Sequence, residues 1–297
     1  MLVHAHPDDE SIGTGSTMAR YVNTGGQVTL VTCTLGEEGE IVVPELAHLA
    51  VDGEDGLGVH RITELSDAMA ALGVTDHLRL GGDGRFRDSG MVYDDKGLAI
   101  ARQVVNDHGF WRADLLQATN ELVPIIRDRR PQVVITYDEN GGYGHPDHVM
   151  AHRVATYAVA LAGVKSYRLD LGAPWQVQRV LWTAIPASRM REMIRRMRAD
   201  GDAGSWGGYD PDSDAVPPMA TPDEMIDVVI DGEEWFERKL GALRAHKSQI
   251  AADSWFLNAP GEMGAALASE SFRLASGTAF PSSTVADDVF AGLEIVS

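Results

Sequence analysis

Val3-His-Ala-His-Pro-Asp-Asp-Glu10 near the start of the chain and Val133-Val-Ile-Thr-Tyr-Asp-Glu-Asn-Gly-Gly-Tyr-Gly-His-Pro-Asp-His148 near its middle share one design. Each is a run containing β-branched residues that leads into His-Pro-Asp and then gives way to helical patterning. Such a run reads as a strand with the turn at its carboxyl end. The proline suits the first position of the helix that follows, because its missing N–H would be unpaired there anyway and its φ is preset. Two such units predict a parallel α/β sheet that carries both motifs at the carboxyl ends of its strands, where open sheets of this kind place their sites.

The same alternation continues outward from both motifs. Leu2 to Ala5 reads as a strand and Ser11 to Asn23 as a helix closed by Gly25-Gly26. Gln27 to Thr34 reads as a second strand, followed by the acidic loop Leu35 to Glu40 and a helix with Ile62, Leu65, Met69 and Leu72 on one face that stops at Gly73. A short strand over His77 to Leu80, a glycine-rich loop over Gly81 to Gly90, a helix over Ala113 to Arg129 and a strand over Gln132 to Tyr137 complete the series. Helices on both faces of a mostly parallel, Rossmann-like sheet are the expected architecture. The first strand is unusually short for a central one, which leaves open a start a few residues upstream. Pro124 inside a helical pattern predicts a kink.

Beyond Gly172 the character changes. Gln176 to Ala184 and Met225 to Ile230 read as strands, Ser188 to Arg198 as a basic helix, and Gly201 to Asp223 as a mobile loop or linker rich in Gly, Pro and Asp. A further helix places Phe236, Leu240, Leu243 and Ile250 on one side. The expected division is a catalytic α/β domain over residues 1–170 and a smaller C-terminal α+β portion over 171–297 that covers the site.

Composition narrows the function classes. A chain of 297 residues with a formal net charge of −19 does not carry the electrostatic footprint of a nucleic-acid or anionic-membrane binder, and a small neutral substrate fits better. The single cysteine, Cys33, forms no internal disulfide and reads as a small buried hydrophobe in a reducing compartment. With no apolar run long enough to span a bilayer and no signal sequence, the expectation is a cytoplasmic protein; oligomeric state is not legible.

The paired motifs point to a metal. With the backbone turning at Pro7, His6 and Asp9 can enter one pocket while Asp8 projects beside them, and His148 would complete a His-Asp-His set with an open position for water. That is the arrangement of a catalytic zinc site, since a structural one would be closed and usually cysteine-rich. The ligand set would also accept iron or cobalt. Asp8, free of the metal, is placed to take a proton from a metal-activated water. Tyr143 and His145 are candidates to stabilise an oxyanion and protonate a leaving amine, with Asp147 orienting the histidine.

His-Pro-Asp-Asp-Glu combined with Gly-Tyr-Gly-His-Pro-Asp-His resembles the zinc-dependent deacetylases of the PIG-L/LmbE type. The stretches Ala5 to Ser11, Thr32 to Glu40, Gly84 to Met91 and Tyr137 to His148 are similar to the branch that removes the acetyl group from N-acetylglucosaminyl-inositol in mycothiol biosynthesis. The resemblance is strong to about residue 165 and loose beyond. It implies zinc on His6, Asp9 and His148, Asp8 as general base, and His145 with Tyr143 assisting the tetrahedral intermediate, supported by Asp147. It also implies that Arg61, Asp88 and Glu40 contact sugar or inositol hydroxyls, and it marks Lys239 to Gln249 as a recurrent family stretch whose His246 reads as structural.

Competing readings are amide hydrolysis of mycothiol S-conjugates or another N-acyl sugar by the same chemistry, and a non-haem iron oxygenase built on two histidines and one carboxylate. The βα alternation disfavours the oxygenase. A nucleotide-binding module rests only on Gly13-Thr-Gly15; its third glycine is missing, and Asp8 with Asp9 would repel a pyrophosphate.

Overall fold

A computed structural model describes residues 1–95, 98–199, 201, 208–258, 262–282 and 284–294. The first two βα units form as the sequence predicts: β1 (Leu2–His4) leads into α1 (Asp9–Asn23), and β2 (Thr29–Thr32) into α2 (Leu57–Leu72) and β3 (Asp76–Arg79). A small antiparallel pair, β4 (Met91–Tyr93) with β5 (Ala99–Ala101), then interrupts the alternation. It was not anticipated, because three-residue strands carry too little periodicity to read.

The chain returns through α3 (Leu115–Arg129), β6 (Val133–Thr136), a single turn α4 (Gly141–Gly144) and α5 (Pro146–Ala162), with Pro146 at the start of α5 as its fixed φ favours. Asp114 caps α3 by accepting from the Gln117 N–H at 2.8 Å. Helix α3 runs unbroken from Leu115 to Arg129 with Pro124 inside it. The later elements are β7 (Arg179–Ala184), α6 (Ala187–Ala199), β8 (Val228–Ile230), α7 (Phe236–Ala245), the short helices α8 (Trp255–Asn258) and α9 (Glu262–Ala268), and β9 (Glu270–Gly277).

These strands form one seven-stranded sheet in the order β3-β2-β1-β6-β7-β9-β8. From β3 to β7 the pairing is parallel, and β9 is antiparallel to both β7 and β8. Chain direction across the sheet reverses between β1 and β6, since β2 and β3 lie on one side of β1 and the chain comes back on the other. That reversal opens a crevice above the carboxyl ends of β1 and β6, the place where the two His-Pro-Asp motifs emerge.

Period-two alternation sorts the strand residues between two cores. Leu2, Leu30, Ile135 and Leu181 face a layer with Met18 of α1, Leu65 and Leu72 of α2 and Ala242 of α7. Val3, Val31, Val134 and Val180 face α3 and α5 through Leu122, Ile126, Val154 and Ala158, and Cys33 is buried in this second layer. Burial pushes the Cys33 thiol well above its usual range, which suits a packing role.

The boundary expected near residue 170 does not separate two sheets: β7, β8 and β9 continue the first one, and Val228 and Phe272 share the core of Leu2. Strand β9, unread in the sequence, also ties the two ends of the chain together. Glu270 at its start is buried against Lys239 of α7 (2.7 Å) and accepts the Ser16 and Thr17 N–H groups inside α1 at 2.9 and 2.8 Å. Of the Gly201 to Asp223 stretch, residues 202–207 lie outside the described residues. Part of the remainder is held to α6, with Arg195 on Asp212 at 2.8 Å and Arg198 donating to the Tyr209 carbonyl at 2.6 Å. Among the described residues no helix is long and apolar enough to cross a membrane.

Candidate metal centre

His6, Asp8 and Asp9 occupy the turn between β1 and α1, and His145, Asp147 and His148 the turn into α5, so the topology alone brings them to one crevice. Asp9 stands between the two motifs: its Oδ2 is 3.3 Å from His6 Nδ1 and its Oδ1 is 3.2 Å from His148 Nε2. The other nitrogen of each imidazole is already satisfied. His6 Nε2 bonds Asp147 at 3.3 Å with Asp88 at 3.5 Å, and His148 Nδ1 meets the Gly141 carbonyl at 3.2 Å. Outer acceptors of this kind set the tautomer and leave the inward nitrogen with a lone pair.

His148 Nε2 is buried and makes no hydrogen bond despite facing Asp9. A buried polar atom left without a partner calls for an explanation, and a cation held by His6, Asp9 and His148 supplies one. The donor set therefore fits a divalent metal with imidazole preference. His145 is as close to His6 and His148 as a further ligand would be, all three offering ring nitrogens within 4.8 Å of one another; His6, Asp88 and Asp147 form a second such group.

The closeness has a sequence cause at Gly141. Its φ is +66°, and a Cβ there would lie 2.7 Å from both the Cβ of His148 and the N of Val149, so a larger residue would push the second motif off its carbonyl. Tyr137, at the end of β6, stacks on His148 with ring centroids 4.2 Å apart, and its hydroxyl accepts the Ala5 N–H at 2.8 Å. Tyr137 thus locks the first motif to the second. Sequence reasoning passed over it because it reads as the last residue of a strand.

Asp8 lies beside this cluster. Its carboxylate accepts from Arg61 Nη2 at 2.7 Å. Burial pushes the Asp8 carboxyl up to about 6, against the opposing pull of Arg61. For Asp9, burial is outweighed by His148, which holds the group well below the usual carboxylate range; for Asp88, His6 does the same. Burial raises Asp147. At His6 the carboxylates of Asp88 and Asp147 overcome burial and raise the imidazole well above its usual value, so metal binding would displace a proton there.

One expectation needs correction, and a second residue is bonded within the protein. Asp147 was expected to orient His145 through its carboxylate, but the carboxylate sits on His6 and on the Ser89 N–H (2.8 Å); it is the Asp147 backbone N–H that bonds His145 Nδ1, at 3.1 Å. The geometry of an N-cap dictates this, since the capping side chain meets the N–H of the second helical residue. Arg61, expected on substrate hydroxyls, is 2% exposed and donates to Asp8 and to the carbonyls of Pro7 and Gly36. Gly36, at φ +67°, makes room for it, because a Cβ there would overlap the guanidinium.

Asp88 lies in the cluster, buried, with its oxygens accepting from the Gly90 and Glu38 N–H groups at 2.8 and 3.2 Å. Glu40 is exposed and away from these contacts; its neighbour Glu37 is the buried one, accepting the Asp88 N–H at 2.9 Å. Tyr143 packs edge-on to His148 with centroids 5.0 Å apart. Burial pushes the Tyr143 hydroxyl up and His145 down, so both are neutral donors near pH 7. With Nδ1 accepting from the Asp147 N–H, the proton of neutral His145 is on Nε2, toward the crevice.

The fold and this centre define a family. The model of the PIG-L family, described as GlcNAc-PI de-N-acetylase, matches residues 1–159, and the chain belongs to that family. Within it, a Kribbella flavida protein named 1D-myo-inositol 2-acetamido-2-deoxy-alpha-D-glucopyranoside deacetylase is 55% identical over 99% of this chain and 97% of its own length. A Nocardioides protein of the same name is 53% identical over 99% and 98%. Among solved structures, the N,N'-diacetylchitobiose deacetylase of Pyrococcus horikoshii shares the fold with a TM-score of 0.59 at 20% identity, over 92% of this chain and 82% of its own.

Proposed function

We propose that the chain is a zinc-dependent amide hydrolase that removes the acetyl group from 1D-myo-inositol 2-acetamido-2-deoxy-alpha-D-glucopyranoside, giving acetate and the free glucosaminyl-inositol amine for mycothiol biosynthesis. The observation that carries the reading is the division of labour between adjacent aspartates: Asp9 joins His6 and His148, while Asp8 is withheld on Arg61. Near full-length relatives of that name support the substrate.

Zinc held by His6, Asp9 and His148 would polarise the acetyl carbonyl and lower the pKa of its water. Asp8, with a carboxyl near 6, is suited to take the proton of the attacking water and to return it to the departing amine. His145 presents its Nε2–H, and Tyr143 its hydroxyl, to the oxyanion of the tetrahedral intermediate. Asp147 and Asp88 hold His6 in the ligating tautomer. The fold offers no support for the oxygenase alternative, whose usual scaffold is a β-helix. A cytoplasmic location and a free small-molecule substrate complete the proposal.

The test compares kcat/KM by amine release for N-acetylglucosaminyl-inositol, free N-acetylglucosamine and a mycothiol S-conjugate, with metal content measured in parallel. The inositol glycoside should be processed best. A conjugate processed faster than it would move the chain to the amidase reading while leaving the hydrolytic chemistry in place.

A further inference from the structure

We infer that His246 is a positioning residue for the reaction: through Glu10 it holds the backbone of Asp8 in the conformation that aims its carboxylate. The inference rests on the reading of Asp8 as the base. Asp8 has φ 117° and ψ −36°, outside the regions that a residue with a Cβ adopts freely. Such a conformation persists only where its surroundings over-determine it.

Every polar handle of Asp8 is accordingly tied. The carbonyl accepts the Ser11 and Ile12 N–H groups at 3.0 Å each, the carboxylate accepts from Arg61, and the backbone N–H donates to Glu10 Oε2 at 2.9 Å. The first ties belong to the helix start and to a guanidinium fixed by two carbonyls. The last depends on a carboxylate that is 0% exposed. A carboxylate that deep keeps its charge and place only with a partner.

That partner comes from the far end of the chain. His246, at the end of α7 and also 0% exposed, places Nε2 2.8 Å from Glu10 Oε1, with Ser11 Oγ donating to the same oxygen at 2.6 Å. His246 Nδ1 makes no hydrogen bond. The ring therefore has one polar contact shell, on Glu10 and Ser11, and it is directed at the turn that carries Asp8. A histidine that merely filled the core would affect stability without acting through Asp8.

The experiment uses the metal-loaded full chain and measures kcat, KM and metal content for His246→Asn, His246→Gln, Asp8→Ala and Asp8→Ala combined with His246→Asn. His246→Asn withdraws the donor and should lower kcat by on the order of tenfold to a hundredfold, the scale of a small misplacement of a reacting group, with KM and metal content unchanged. His246→Gln, whose amide nitrogen reaches a similar distance, should recover most of that loss. In the Asp8→Ala background His246→Asn should add nothing, since it acts through the missing carboxylate.

An additive loss in that background, an equal defect in His246→Gln, or an effect confined to KM or metal content would overturn the inference. Parental kcat in Asp8→Ala would instead sink the base assignment, a separate failure. Should His246→Asn not fold, Glu10→Gln combined with it removes the buried charge along with its partner and keeps an acceptor for the Asp8 N–H. That pair should then hold kcat within a few-fold of Glu10→Gln alone; a further large drop would count against the inference.

Discussion

Replacing Arg61 by Ala should move the acid limb of the pH profile upward. As the proposed base, Asp8 would accept a proton only when ionised, and burial already lifts its carboxyl to about 6 while Arg61 opposes that rise from 2.7 Å. Removing a cation that favours the charged form raises the pKa further, so the variant loses activity at a higher pH than the parent as acid is added. Two unit charges with centres about 4 Å apart interact by about 4 kcal/mol at an effective dielectric constant near 20, a ceiling of roughly three pH units.

The Asp8 side chain is 18% exposed, and water entering the vacated space would screen part of that, which leaves a shift of roughly one to two units. At pH 6 the ionised fraction then falls from about one half to about one in ten or less, a drop in kcat/KM of about 5- to 50-fold on the same arithmetic, while well above the new pKa most of the activity returns. Arg61→Lys, which keeps the charge, should stay near the parental limb. The measurement is kcat/KM against pH for the three proteins, with metal content and a melting curve for each. An acid limb in Arg61→Ala that stays in place or moves down would refute the electrostatic argument, and a loss equal at all pH values would make Arg61 a purely structural clamp.

Two further outcomes follow from other parts of the molecule. His148→Ala should lower metal content and turnover together, and added zinc should restore both in a stripped parental protein but not in the variant; full occupancy with turnover in His148→Ala would contradict the ligand assignment. Glu270→Ala should cost about 3–5 kcal/mol, because it strands the buried Lys239 charge. A fall in Tm on the order of 10 °C is expected by calorimetry, and Glu270→Gln with Lys239→Met should recover much of it; a shift within error for Glu270→Ala would show the pair to be dispensable.

Much of the first 165 residues was legible because both chemistry and folding are written there in local patterns. A β-branched run, a proline at the helix start and a glycine at the helix end are short-range signals, and Gly73 ends α2 at φ +81° as its position predicts. The joining of His6 to His148 followed from two such signals and the parallel topology. The partners of those residues did not. Whether the Asp147 carboxylate meets His145 or His6 depends on angstrom-scale placement at a helix start, and Arg61 was expected on substrate hydroxyls because nothing in its own helix announces that Asp8 lies 53 positions earlier against it. Glu10 is the instructive case: it stood in the motif, yet its meaning came from His246, 236 residues away. Strand β9 was missed for a related reason, since Glu270 and Ser271, both buried, interrupt the apolar alternation that marks a strand.

The grip of Glu270 on the middle of α1 also sets an order of events on the ribosome. All three proposed zinc ligands have been synthesised once His148 is made, but the helix that carries Asp9 is pinned at Ser16 and Thr17 by a residue about 250 positions later. At roughly 5–20 residues per second, the intervening stretch of about 120 residues after His148 takes about 6–25 s to appear. During that interval the nascent chain displays both His-Pro-Asp turns, while the helix that follows the first of them still lacks its contact with Glu270. The turn proposed to hold the metal is thus among the first parts translated, and one anchor of its helix is among the last.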